Sequence, residues 1–93
     1  MQIDAPPKPE KTYLTVLTSI DQTGLMVPRE IFWPDGRRFP IDKVICWRKA
    51  LDHGPGTTYY VIQIGDQSRI LYFTQSQNCS IVNMGRWYVE SAH

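Results

Sequence analysis

From Thr12 onward, apolar and polar residues alternate with a period near two, and no apolar stripe at spacings of three and four persists beyond two helical turns. Such alternation belongs to half-buried strands, whose successive side chains point to opposite faces. Residues 13–20 are rich in β-branched side chains and place Leu14, Val16 and Thr18 on one face. This strand ends at Asp21-Gln22-Thr23-Gly24, a turn in which Gly24 can take a positive φ without steric penalty. A second strand covers 25–33. Pro28 has no N–H to give to a ladder, so this strand lies at an edge or carries a bulge there. Pro34-Asp35-Gly36 then signals a tight hairpin.

The third strand is long, from 37 to about 47. Phe39 and Ile41 share a face, but Val44 falls on the other, and this slip around Asp42-Lys43 predicts a bulge that bends the strand sharply. Small barrels close their sheets with such bends. Residues 48–53 allow one helical turn at most, and Gly54-Pro55-Gly56 breaks the chain. Residues 57–64 form the clearest strand, with Tyr60, Ile62 and Ile64 on one face and Tyr59, Val61 and Gln63 on the other. Gly65-Asp66-Gln67 turns it into a strand over 69–73. A polar loop over 74–80 follows, then a last strand over 86–90 with Trp87 and Val89 inward. The expected fold is all-β: a small antiparallel barrel or roll of five to six strands, SH3-like. An OB-type barrel fits less well, because it normally includes a helix. Residues 1–11, with Pro6, Pro7 and Pro9 among charged neighbours, read as a disordered Pro-rich arm or docking peptide outside a single domain over 12–93.

Composition narrows the class. A chain of 93 residues suits one domain, and 42% hydrophobic residues argue against disorder. Ten basic and nine acidic residues leave a formal charge of +1, so no bulk field points to nucleic acid or membrane. Cys46 and Cys79 are too few for a disulfide scaffold and have no metal spacing. No signal peptide and no apolar run of spanning length is evident, so the expected compartment is the cytoplasm, with both thiols reduced. In that compartment Asn78-Cys79-Ser80 is a coincidental match to the glycosylation sequon.

One resemblance rests on Trp33-Pro34-Asp35-Gly36-Arg37, Ile41-Asp42-Lys43-Val44, Tyr59-Tyr60-Val61 and Trp87-Tyr88-Val89-Glu90. The chain resembles small uncharacterised proteins of Gram-positive bacteria with a W-x-D-G-R core and a terminal W-[FY]-V-E, over residues 13–90. These are mainly turn and core residues. The resemblance therefore implies a bacterial β-domain and carries over no catalytic residue. A weaker likeness is to a small β-rich domain found with Y-family DNA polymerase-like proteins.

Candidate chemistry is sparse. A nucleophilic Cys46 or Cys79 would need a base such as His53 beside it. Cys46, however, sits among apolar neighbours as a small buried hydrophobe would, and Cys79 has no obvious cation to activate it. His53 and His93 lack further ligands at metal spacing. Asp21, Asp35 and Asp66 occupy turns, where their side chains cap local backbone. Gly54-Pro55-Gly56 places proline where a phosphate loop needs an amide. No catalytic residue, metal or cofactor is expected, and the chain reads as non-enzymatic.

Two surfaces are left. The aromatic set is large for so small a core, and Trp33, Tyr59, Tyr72 and Tyr88 are the candidates for a protein-binding or homodimer face. Residues 37–49 carry Arg37, Arg38, Lys43, Arg48 and Lys49 against Asp42 alone, with Phe39 and Trp47 interleaved. Cations on phosphates with rings on bases are how small barrels hold single-stranded nucleic acid. The plainer reading makes Phe39 and Trp47 core and the cations a solvated face. A protein-binding module is the leading expectation, and a nucleic-acid-binding barrel the alternative.

Overall fold

The computed structural model describes residues 10–76 and 84–91. Their strands are β1 (Glu10–Ile20), β2 (Met26–Phe32), β3 (Arg38–Pro40), β4 (Lys43–Lys49), β5 (Thr57–Ile64), β6 (Gln67–Gln75) and β7 (Gly85–Ser91), with a 3-10 turn at Leu51–His53. All seven join one antiparallel sheet, curled into a half-barrel, in the order β3-β2-β1-β7-β6-β5-β4. No helix among the described residues is long and apolar enough to cross a membrane.

The local signals act as their chemistry dictates. The Asp21 carboxylate accepts from the N–H groups of Thr23 at 2.8 Å and Leu25 at 3.0 Å, which closes the first turn. At the second, Gly36 N–H donates to the Trp33 carbonyl at 2.9 Å, and Gly36 has a φ of 95° that a side chain would resist. Pro28 stands opposite Thr18 just where the β1–β2 register shifts, so Arg29 is the extra residue of a bulge.

The third expected strand is two strands, which raises the count from five or six to seven. At the break, Ile41 N–H donates to the Arg29 carbonyl of β2 at 2.9 Å, and Asp42 N–H to the Gln63 carbonyl of β5 at 2.8 Å. The chain thus crosses from one end of the strand order to the other. A second irregularity follows between Val44 and Cys46, leaving Ile45 without a cross-strand partner. The break corrects the facing of this segment: Phe39, Ile41 and Val44 all pack against the core. The arm boundary also moves, because Glu10 and Lys11 pair with Ser91 and Glu90 and so belong to β1. Residues 1–9, the rest of the expected arm, lie outside the described residues.

The concave inner face carries the core: Ile31, Tyr60, Ile62, Leu71 and Trp87, ringed by half-buried Leu14, Val16, Trp33, Phe39, Ile64, Phe73 and Val89. Two seams interrupt the curl. The β6–β7 ladder runs only from Tyr72 opposite Tyr88 to Gln75 opposite Gly85. Beyond it, β6 continues with β5 while β7 continues with β1, so the two strands part. The second seam lies between the start of β2 and β4, which ends the sheet.

Candidate functional site

Most of the aromatic excess is consumed in two stacks. On the outer face the rings of Tyr72 and Tyr88 lie 5.0 Å apart and nearly parallel, at 9°. His53 stacks on Tyr72 at 4.5 Å, and Tyr13 meets Tyr88 edge-on at 5.7 Å. The Arg86 guanidinium covers the Tyr13 ring at 3.5 Å, and the Lys11 ammonium lies 4.9 Å from the Tyr88 ring. On the inner face Trp87 packs between Tyr60 at 5.3 Å and Phe73 at 4.9 Å, and Trp33 meets Phe39 edge-on at 6.3 Å.

These contacts place the expected protein-binding residues. Tyr88 is only 1% exposed, so its ring belongs to the stack and offers no surface. Tyr72 is half-buried beneath His53. Burial, with the Glu90 charge beside it, pushes the Tyr72 phenol up to about 12. Tyr59 is half-buried beside Tyr72 on β6 and Arg48 on β4, and Trp33 lines the inner trough. The four do not form one face: Trp33 is inner, the tyrosines outer.

A sequence reading that places Trp47 in the core misses the ring that stays open. Trp47 is 52% exposed and the bulged Ile45 is 49% exposed. Both lie on β4, which has a neighbouring strand on one side only. They flank a groove of about 370 Å³ in the second seam, lined also by Met26, Val44 and Tyr60. The Tyr60 hydroxyl donates to the Met26 carbonyl at 3.1 Å and pins the groove floor. The register after the Ile45 bulge sets Trp47 opposite Tyr60, on the core side of β4, and its ring stays open because β4 ends the sheet.

The five basic candidates divide. Arg37 pairs with Asp35 at 2.6 Å, and Arg38 with Glu30 at 3.1 Å while lying over the Phe32 ring. These two cations are spent locally. Lys43, Arg48 and Lys49 are exposed on β4 and pair with no carboxylate among the described residues. Arg38 lies on β3, and Lys43, Arg48 and Lys49 on β4, at the two ends of the strand order.

His53 is held at both ring nitrogens. Its Nδ1 lies 2.8 Å from Asp52 Oδ1 and its Nε2 2.9 Å from Glu90 Oε1. The bond to Glu90, then that to Asp52, raises its pKa above the ordinary histidine value. With both ring nitrogens engaged by carboxylates, the imidazole clamps the 3-10 turn to β7. Cys46 is a half-buried free thiol on β4 opposite Val61. Among the described residues no group of three His, Cys, Asp or Glu is arranged to hold a metal ion. Cys79, the Asn78 sequon and His93 lie outside them. Compared with known proteins, the chain matches no family model, no curated sequence and no solved structure.

Proposed function

We propose that this chain is a non-enzymatic binding module that takes an extended, acidic polypeptide segment along the free edge of β4. The observation that carries the reading is the half-exposed Trp47 beside Ile45, on a terminal strand above an apolar groove. An added strand would bond to the open backbone edge while alternate side chains enter the groove, with Trp47 as anchor. Lys43, Arg48 and Lys49 supply the charge preference. They also disfavour the homodimer version at this edge, since two copies pairing β4 to β4 would oppose like charges.

The SH3-like description belongs to the same proposal. It is supported by the bent chain that joins β3 to β4 and so brings the two ends of the sheet together. A reducing compartment such as the cytoplasm fits a chain with two cysteines.

A second reading has one observation in its favour: an exposed indole flanked by three cations that pair with no carboxylate among the described residues also suits a single-stranded nucleic acid. Selection from a displayed random peptide library, followed by anisotropy with the winners and with labelled single-stranded DNA and RNA at two salt concentrations, separates the two. The peptide reading expects selected segments that alternate apolar with acidic residues, and binding lost in Trp47→Ala and in Lys49→Glu. Tight, salt-dependent binding of nucleic acid with no peptide enriched would replace it with the second.

A further inference from the structure

We propose that the inner trough of the half-barrel is a separate binding site for a small amphiphilic anion, an apolar body carrying a carboxylate head. The site is a cavity of about 690 Å³ where β6 and β7 part. Its floor is Ile31 and Ile62, 4% and 0% exposed, and its walls include Phe39, Ile64 and Val89. It shares no lining residue with the β4 groove. The volume falls within the roughly 300–1,000 Å³ of small-molecule sites, and a mostly apolar lining with a few convergent polar groups is their usual chemistry.

The rim sets the head group. Arg69 stands opposite Ile62 in the β5–β6 register, a position that inward alternation would give to an apolar side chain. Its guanidinium donates to the neutral Gln67 amide oxygen at 2.6 Å, and among the described residues no carboxylate pairs with it. Arg37, also on the rim, lies 5.5 Å from the Phe39 ring but is neutralised by Asp35. Glu90 borders the cavity too, with its carboxylate engaged by His53. The charge left to face a ligand is therefore the Arg69 guanidinium, whose planar fork suits a carboxylate. A neutral apolar ligand would leave that donor unused, and a cationic one would be repelled.

The test is calorimetric titration of the full chain with decanoate, decylammonium and 1-decanol, each below the concentration at which it aggregates. Saturable one-to-one binding of decanoate, about tenfold or more tighter than decylammonium, is expected from one charge-assisted contact. Arg69→Glu, an exposed change that leaves the core intact, should remove that preference and leave 1-decanol unaffected. Ile64→Trp, its fold checked by circular dichroism, should fill the trough and abolish binding of both. Trp47→Ala should leave decanoate affinity unchanged, which keeps this site distinct from the peptide edge. Equal affinity for the two charged probes, or decanoate binding untouched by both Arg69→Glu and Ile64→Trp, would overturn the proposal. So would loss of decanoate binding in Trp47→Ala.

Discussion

His53 Nε2 and Glu90 Oε1 lie 2.9 Å apart across a separation of 37 residues, tying the turn before β5 to the last strand. Asp52 holds the other ring nitrogen at 2.8 Å, so the folded chain binds the imidazole proton more tightly than the unfolded chain does. A raised pKa gives stability that is complete below the unfolded value of about 6.5 and fades as pH climbs through the folded value. The melting temperature should therefore fall as pH rises above about 6.5 and through the raised folded value. In His53→Gln that slope should flatten. A wild-type profile that is level or rises over this window would remove the clamp from the account.

Glu90 also faces the Tyr72 phenol, which burial and this negative charge together push up to about 12. Replacing Glu90 with Gln removes the charge and leaves the burial. Tyr72 should then ionise at lower pH, yet still above the ordinary tyrosine value of about 10, because burial is the larger cause. Alkaline difference absorbance of the phenolate reads this directly. The same variant should lower the His53 pKa in an imidazole NMR titration, since one carboxylate serves both rings.

Gly85 opens β7 opposite Gln75, where the strand passes close to β6. A Cβ there would land on the Thr74 carbonyl oxygen and the Phe73 ring, and φ is 150°. Gly85→Ala should cost about 1–3 kcal/mol, as overpacking does. Denaturant titration measures it. Gly24 has open space around the position of a Cβ, so Gly24→Asn, which tolerates positive φ, should cost much less.

What could be read in the sequence was local. Asp21 to Gly24, Pro34 to Gly36 and the bulge at Pro28 depend on neighbours a few residues apart, and single side chains decide them. The inward set Tyr60, Ile62, Ile64, Trp87 and Val89 followed from alternation. Contacts that need distant strands in register were beyond reach, among them Tyr72 on Tyr88, His53 on Glu90, and the parting of β6 from β7 that opens the trough. Trp47 and Arg69 show the limit most clearly. Pattern puts Trp47 on the core side, and the register opposite Tyr60 agrees, but only the strand order leaves its ring uncovered; Arg69 begins an apolar run and is set inward by its pairing with Ile62.

Two tryptophans should respond oppositely to substitution. Trp87 is 7% exposed and wedged between Tyr60 and Phe73, so Trp87→Ala removes a filled volume at the centre of the inner face. A loss of about 3–5 kcal/mol is expected, enough to leave so small a domain largely unfolded. Trp47 is 52% exposed at the sheet edge, and Trp47→Thr keeps a β-favouring side chain there. Its unfolding free energy should stay within about 1 kcal/mol of wild type, as expected for a surface position. On the proposed role as anchor, the contribution of this half-exposed ring is made in a complex. Trp47→Thr should therefore separate binding from folding: a normal melt with peptide binding lost. A melt as damaged as that of Trp87→Ala would return Trp47 to the core and take the anchor out of the β4 edge.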